Sequence, residues 1–382
     1  MLSKPKHLSL FLLITCTSLY AATQALCEPL KIGIPLPFTG ANAAPAQDIR
    51  RGFELGREIL GLTDAALIFE DDGCDGAKSI TATKKLIDIT KVDVISGIYC
   101  NNALLPVASI LNRADIPVLT VGATTGDQVG IGKKIFRIFP ADQDALEPII
   151  PEMVKHGPRL CVMTETEAYT TLIERAVDLK WQRAGMLKGR GSRETSNFTI
   201  AKESINSGER DFRSALFRLK KRGCDSILLN VAGDDGFIAS YRQLRTIDQE
   251  MPVFGLYFPG SSNVQKAFTD GLLRVTYADL ATSNSLATTL GKEFIKRYRE
   301  RYGEFMVSQP IALLAFEALR LIAEANKQRM PLDQFLRMGP INDGAIIKYH
   351  FDSDGAVQGI AFDLFTLNLN SAVKQDENGE GG

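Results

Sequence analysis

Cysteine and asparagine side chains stand together in GIYCNNALLPVA, residues 97–108, where strand-forming residues give way to a helix-like apolar pattern. The Cys100 thiol can pair with another thiol, and the amides of Asn101 and Asn102 can donate and accept hydrogen bonds. Because Pro106 fits near the first turn of a helix, Asn102 is predicted as the N-cap, which leaves Asn101 able to offer its amide to a ligand. The alternative is that Asn101 itself caps or hydrates the loop.

Metal and catalytic chemistry have little support in the sequence. The acids Asp71, Asp72 and Asp75 could suggest a metal, but acids at a sheet end are more often solvated or hydrogen-bonded. There is no C-x-x-C motif, and only His156 and His350 lie beyond the first 25 residues. The sequence therefore predicts no metal site, no cofactor and no enzymatic nucleophile–base pair.

The chain begins with a basic segment, a short apolar run at residues 8–14 and small residues up to Ala25. This order is typical of a secretory signal peptide, so residues 1–25 are predicted to be removed on export. The apolar run is too short to span a bilayer, although an N-terminal anchor is the alternative. Without Lys4 and Lys6, the 44 basic residues become 42 against 45 acidic ones, which argues against a nucleic-acid partner.

Thiols of an exported protein tend to oxidise. Cys74 and Cys100 each follow a strand-like segment, and those strands are expected to be neighbours, so a Cys74–Cys100 disulfide is predicted. Closing this loop would stabilise the fold by roughly 3 kcal/mol in the chain-entropy model. Cys161 and Cys224 lie in or beside buried strands and are predicted as small apolar core residues, while Cys27 is left over near the new N-terminus.

The elements that must position these side chains alternate along the chain from Leu30 onward. Strand-like runs such as LKIGIPLP and VDVISGI are followed by helix-like runs such as AQDIRRGFELGREIL, a pattern that predicts an α/β protein with parallel sheets covered by helices on both faces. About 350 residues suffice for two domains. Ligands of such sheets bind beyond the carboxyl ends of the strands. Residues 371–382 are polar and are predicted to be disordered.

Five stretches taken together resemble the leucine/isoleucine/valine-binding group of periplasmic solute receptors. They are EDDGCDGAKSITATKKLI, GIYCNNALLPVASIL, IPVLTVGATTGD, RIFPADQ and TETEAY. The resemblance covers nearly the whole mature chain and implies the type I periplasmic-binding fold, with two doubly wound lobes joined by a three-crossing hinge. By this analogy, lobe one comprises residues 28–142 and 278–345, and lobe two comprises residues 143–277 and 346–370.

The resemblance also implies ligand-binding residues. Family members hold a solute carboxylate at positions occupied here by Asn101, Gly122 and Thr124, of which Asn101 departs from the family's hydroxyl residue. Helix starts and exposed N–H groups suit a carboxylate. The family's acid for the solute ammonium is matched by Asp142, and the aromatic side chain that closes over the ligand is matched by Tyr169.

Asp142 could instead cap the helix that follows it. Asp144 stands three residues before Glu147 and makes the better capping box, which leaves Asp142 for the ligand.

Three departures from the family widen the expected pocket. Pro45 and Ala232 stand where the family has tyrosines, and Tyr257 or Phe258 stands where it has a second acid. One acid and an aromatic wall remain, so an uncharged ligand or an aromatic acid stacked on Tyr169 and Phe258 fits the pattern as well as an amino acid does.

By resemblance, the chain is expected to be a periplasmic, monomeric solute-binding protein that delivers an amino acid or a related small carboxylate or amide to the permease subunits of an ABC transporter. It is not expected to be an enzyme. The alternative is a ligand-sensing receptor of the same fold that feeds a signalling partner.

Overall fold

In a computed structural model, the described residues are 29–124, 131–189, 198–268, 271, 273–280, 286–307 and 309–369. The predicted signal peptide, Cys27 and residues 371–382 lie outside them. The strands of the described residues are β1 (Lys31–Leu36), β2 (Ala66–Asp71), β3 (Val94–Gly97), β4 (Val118–Thr120), β5 (Ile135–Arg137), β6 (Arg159–Glu165), β7 (Thr199–Ile205), β8 (Ser226–Asn230), β9 (Val253–Leu256), β10 (Leu273–Leu280), β11 (His350–Phe351), β12 (Val357–Gln358) and β13 (Phe362–Leu369).

Helices alternate with these strands. The α-helices are α1 (Ala43–Ile59), α2 (Gly76–Lys84), α3 (Asn101–Ala114), α4 (Leu146–His156), α5 (Ala168–Gly189), α6 (Arg213–Lys221), α7 (Gly233–Ile247), α8 (Ser262–Ala267), α9 (Thr289–Tyr302), α10 (Gln309–Lys327) and α11 (Leu332–Leu336). A π-helical turn at Lys85–Thr90 extends α2, and 3₁₀ turns at Asp142–Ala145 and Phe258–Gly260 precede α4 and α8.

Two sheets organise the chain. The first has five parallel strands in the order β2-β1-β3-β4-β5. The second has six strands in the order β13-β10-β9-β8-β6-β7, in which only the β10–β13 pair is antiparallel. Interior strands such as β1 are buried along almost their whole length, as expected for parallel strands covered on both faces. The predicted α/β class with largely parallel sheets is confirmed.

Helix α1 shows how the sequence pattern produces packing. Ile49, Phe53 and Gly56 recur at helical spacing and are buried. Helix α10 lies against this face, and the Cβ position of Gly52 stands only 2.5 Å from the backbone oxygen of Ala312, so the two helices approach closely. This packing holds helix α10, residues 309–327, beside a helix of the first sheet, although the two helices are far apart in the sequence.

Among the strands that the sequence analysis missed are β7 and β10. Strand β7 lies at the sheet edge, where exposed Lys202 and Ser204 dilute the apolar signal. In β10, Leu273, Val275 and Tyr277 alternate with more exposed residues, and pairing with β13 completes the strand. Within the residues described, no helix is long and apolar enough to cross a membrane.

Candidate functional site

A cavity of about 280 Å³ lies between the two sheets. Its walls come from the segments that follow the carboxyl ends of the parallel strands of both sheets, together with the end of β10 and the start of α10. The structure brings seven of the eight residues predicted to bind ligand to this cavity: Asn101, Gly122, Asp142, Tyr169, Ala232, Tyr257 and Phe258. The eighth, Thr124, is buried behind the wall and is hydrogen-bonded to Asp142.

Asn101, Thr124 and Asp142 form one hydrogen-bonded chain. The Asn101 side-chain oxygen accepts from the Thr124 N–H at 2.8 Å, and the Asn101 amide nitrogen lies 3.5 Å from Thr124 Oγ1. The Thr124 hydroxyl donates to Asp142 Oδ2 at 2.5 Å. The polar groups expected to cradle a solute carboxylate therefore contact one another.

Asp142 is held from two sides. Besides Thr124, the Tyr257 hydroxyl donates to Asp142 Oδ1 at 2.9 Å. Burial raises the pKa of Asp142 to about 6, against the lowering effect of hydrogen bonds from Thr124, Tyr257 and Asn101. The predicted Asp144–Glu147 capping box is wrong, because Asp144 lies within a 3₁₀ turn and no side chain caps α4. Asp142 does not cap the helix either.

Asn102 connects the two sides of the cavity. The predicted N-cap role is wrong, because α3 already begins at Asn101, with Cys100 in an extended conformation before it. Asn102 instead donates its amide to Glu167 Oε2 at 2.5 Å, and Ser207 donates its hydroxyl to Glu167 Oε1. The first contact joins a helix of the five-stranded sheet to the segment after β6 of the six-stranded sheet.

Aromatic rings cover much of the cavity wall. Ring centroids are 5.9 Å apart for Phe139 and Tyr257, 6.4 Å for Tyr257 and Phe258, and 6.5 Å for Tyr169 and Phe258. The Tyr169 hydroxyl donates to the Val231 carbonyl at 2.5 Å, which holds its ring in place. Tyr257 adopts φ 56° and ψ −66°, a backbone region that L-residues rarely occupy.

Gly122 and Tyr99 pack against each other. A Cβ at position 122 would lie 2.3 Å from Tyr99 Cδ2 and 2.8 Å from the Tyr99 backbone oxygen. Glycine at position 122 therefore leaves space for the Tyr99 ring, which also lines the cavity. Sequence reasoning missed Tyr99 and Phe139.

Two further acids of the wall, Glu165 and Asp279, were also missed. Glu165 is 1% exposed and accepts from the Gly208 N–H at 2.8 Å, the Ala232 N–H at 2.9 Å and Arg210 Nη1 at 3.1 Å. Ala232 thus contributes a backbone donor rather than a side chain. The loop TETEAY pointed to this place, but its acids were not singled out.

Asp279 lies near the end of β10 and lines the cavity. Its Oδ1 accepts from the Leu280 N–H at 2.7 Å, and burial raises its pKa to about 7. The signal that could have found it is an acid ending the alternating run LRVTYADL. The structure therefore supplies a second carboxylate at a position where the family resemblance suggested none.

Two disulfides join strand ends. The predicted Cys74–Cys100 bond is present, with a Cα–Cα distance of 5.5 Å, and both residues line the cavity. Cys161 and Cys224 are also joined, so the prediction that they are unpaired core residues is wrong. Strands β6 and β8 are direct neighbours, which places these two thiols together.

The acids at positions 71, 72 and 75 are hydrogen-bonded to groups of their own loop and of the neighbouring segment after β1. Asp71 accepts from Thr39, Asp72 accepts from the Cys74 N–H, and Asp75 caps α2 by accepting from the Ala77 and Lys78 N–H groups. Among the residues that the structure describes, no group of three or more His, Cys, Asp or Glu side chains could hold a metal ion.

A sequence profile of the family described as Periplasmic binding protein matches residues 29–334. The chain belongs to the periplasmic binding protein family. Its assignment to the leucine/isoleucine/valine-binding group and to the type I periplasmic-binding fold is confirmed.

Sequence relatives of this binding protein are distant. It is 25% identical over 232 residues to the Leu/Ile/Val-binding protein of Escherichia coli K12, covering 56% of this chain and 58% of that protein. It is 21% identical over 215 residues to an amino acid binding protein of Pseudomonas aeruginosa, covering 54% of each. The matched region thus spans little more than half the length of these relatives.

Solved structures resemble the fold over almost the whole chain. A leucine binding protein from Thermotoga maritima has a TM-score of 0.76 at 17% identity, covering 89% of this chain and 99% of that one. A solute binding protein of an R. palustris ABC transporter, in complex with benzoate, has a TM-score of 0.74 at 16% identity, covering 89% and 95%.

Proposed function

We propose that this protein is the extracytoplasmic solute-binding component of an ABC uptake transporter. It takes up a small organic solute of amino-acid size in the cavity between its two sheets. The observation that carries the proposal is the cavity itself: about 280 Å³, with polar and aromatic side chains from both sheets, in a chain of this family. The size suits one small molecule whose surface is largely buried.

The names of related proteins support the transport role. The E. coli relative is a Leu/Ile/Val-binding protein, and structural neighbours bind isoleucine or benzoate as components of ABC transporters. We therefore propose a binding rather than a catalytic role, with the permease subunits of an ABC transporter as partners. The protein works as a monomer in the periplasm.

We propose two hinged lobes, residues 28–142 with 278–345 and residues 143–277 with 346–370, built around the five-stranded and the six-stranded sheet respectively. Strand β10, which ends at Leu280 in the six-stranded sheet, crosses the proposed boundary at residue 278. A solute that contacts both lobes favours the closed arrangement, because only that arrangement satisfies both sets of contacts. The Asn102–Glu167 hydrogen bond supports this proposal, since it links the two sides directly. Residues Asn101, Gly122, Thr124, Asp142, Tyr169, Ala232, Tyr257 and Phe258 form or support the ligand site.

A thermal-shift screen of the purified protein tests the proposed function. The panel comprises amino acids, amines, aromatic acids, amides and ureas at millimolar concentration. A true solute should raise the Tm by several degrees, because a ligand that binds only the folded state stabilises it by mass action, and it should be recovered chemically unchanged. No shift with any compound class would contradict a solute-binding role, and conversion of a bound compound would contradict a purely binding role.

A further inference from the structure

The charged side chains lining the cavity are mostly acids. Asp142, Glu165, Glu167 and Asp279 face it, and Arg210 is the single cation among its described lining residues. Arg210 is already engaged, since its Nη1 donates to Glu165 at 3.1 Å.

Three of these acids have only neutral hydrogen-bond donors among the described residues. Asp142 accepts from two hydroxyls, and Glu167 accepts from one amide and one hydroxyl. Asp279 accepts from a backbone N–H. Asp142 is buried, and Glu167 and Asp279 are half-buried. Carboxylates shielded from water are costly unless a positive charge compensates them, so the cavity is electrostatically prepared for a cation.

For a solute carboxylate, the electrostatic environment of the cavity is unfavourable. The donors expected to hold it, the Asn101 amide and the N–H and hydroxyl of Thr124, contact each other and Asp142. A carboxylate placed beside them would also stand near Asp142, and like charges at short range repel.

The aromatic wall complements a cation as well. Phe139, Tyr169, Tyr257 and Phe258 line the same cavity as the acids. Ring faces attract ammonium and amidinium groups through their quadrupole, and they also cover apolar ligand surface. The acidic side chains and the aromatic rings together complement a ligand in which a positively charged group is attached to an apolar group.

We infer, on the basis of the proposed function, that the solute is an organic cation without a carboxylate beside its charged group. The chemical class is a primary amine or an amidine carried by an aromatic or branched alkyl body. Unlike zwitterionic amino acids, molecules of this class carry no carboxylate, which is the group that the cavity repels.

Two matched ligand series test the inference by isothermal titration calorimetry at pH 8. Benzamidine, benzamide and benzoate share size and shape but carry positive, zero and negative charge. Isoamylamine is leucine without its carboxylate. We expect benzamidine to bind at least tenfold more tightly than benzamide, isoamylamine to bind more tightly than leucine, and benzoate to show no binding.

Tighter binding of benzoate or leucine than of the matched cation would overturn the inference and leave the proposed function intact. The same holds if neither series binds while a compound of the thermal-shift panel that carries no net positive charge does. If no compound of any class binds, the proposed function fails together with the inference.

Two variants locate the cation. Asp279→Asn and Asp142→Asn each keep the side-chain shape and remove a negative charge. Either should weaken benzamidine binding at least tenfold more than it weakens benzamide binding, a split that a purely structural defect would not produce. Asp343→Asn, at an exposed position, is the control. Unchanged benzamidine affinity in both folded variants overturns the inference, and the two positions make the test independent of one variant failing to fold.

Discussion

Asn102 Nδ2 lies 2.5 Å from Glu167 Oε2, and this hydrogen bond crosses the cavity from helix α3 to the segment before helix α5. It is a direct polar link between the two sides that does not depend on a solute. A link of this kind stabilises the arrangement in which the cavity is covered, so it contributes to the equilibrium on which solute affinity depends.

Replacing Asn102 by Ala should therefore weaken solute binding by shifting the protein toward an open arrangement. The expected loss is about 3- to 10-fold, corresponding to one hydrogen bond worth on the order of 1 kcal/mol. Titration calorimetry gives the affinity, and small-angle scattering gives the radius of gyration, which should rise in the unliganded variant.

Ser207→Ala is the matched control for this experiment. Ser207 also donates to Glu167, but it follows β7 and so belongs to the same sheet as Glu167. Its loss should leave the radius of gyration unchanged. Equal effects of the two variants on scattering would show that the Asn102 contact does not favour closure.

The buried acids predict an unusual pH dependence of stability. Burial raises the pKa of Asp142 to about 6 and that of Asp279 to about 7, so the folded state binds these protons more tightly than the unfolded chain does. The unliganded protein should therefore gain stability as pH falls from 8 to 5. Asp72, with a pKa raised to about 6, acts in the same direction.

Asp279→Asn should flatten this dependence, because the amide does not titrate. The free energy of unfolding, measured by urea denaturation at pH 5, 6, 7 and 8, should change with pH by about 2 kcal/mol less in the variant than in the parent protein. Asp144, Tyr99 and Tyr257 surround the two acids and stay in the variant. An exposed replacement, Asp343→Asn, should leave the slope as it was. Identical slopes in Asp279→Asn and the parent would show that Asp279 titrates normally.

Much of the site could be predicted because it lies where the fold class places it. The polar loops after β3, β4 and β6 carry Asn101, Gly122 and Tyr169, and the carboxyl ends of parallel strands converge. Asp279 was missed because strand β10, which carries it, was not predicted: its alternating run LRVTYADL is short, and pairing with β9 and β13 completes the strand. The Cys161–Cys224 bond escaped for a similar reason, since strand order decides which thiols meet.

The Cys161–Cys224 disulfide should stabilise the protein substantially. The two residues are 63 apart in sequence, and closing a loop of this length stabilises the fold by about 4 kcal/mol in the chain-entropy model. The double variant Cys161→Ala/Cys224→Ala should lose about this much free energy of unfolding and keep its solute affinity, because neither residue lines the cavity. Urea denaturation and titration calorimetry measure the two quantities.

The double variant Cys74→Ala/Cys100→Ala provides the comparison. It should lose about 3 kcal/mol of stability through its shorter loop, and it should also bind solute more weakly, since both cysteines line the cavity and Cys100 precedes α3. If only the Cys161/Cys224 variant lost solute affinity, that disulfide and not Cys74–Cys100 would be the one that supports the cavity.

Gly122→Ala should disturb the cavity through Tyr99. The added methyl group would lie 2.3 Å from Tyr99 Cδ2, so the ring must move, at a cost of about 1–3 kcal/mol. We expect a lower Tm and weaker solute binding in thermal-shift and calorimetric measurements.

A double-mutant cycle with Tyr99→Ala separates the ring from the backbone. Removing the ring should recover part of the free energy of unfolding lost in Gly122→Ala. The remainder should not be recovered, because the backbone oxygen at position 99 still lies 2.8 Å from the new methyl group. Strict additivity of the two changes would mean that the ring is not the obstacle.

The left-handed backbone at Tyr257 has a consequence for how such a protein could acquire a new solute. Glycine would occupy φ 56° at lower free energy than any side-chain-bearing residue, yet an aromatic ring stands there and reaches Asp142. Exchange of this one residue would therefore change ligand selectivity and protein stability in opposite directions. A protein with glycine at position 257 would be more stable and so tolerate more mutations elsewhere, but it would accept a broader set of molecules. The tyrosine keeps recognition narrow and leaves the protein less tolerant of mutation.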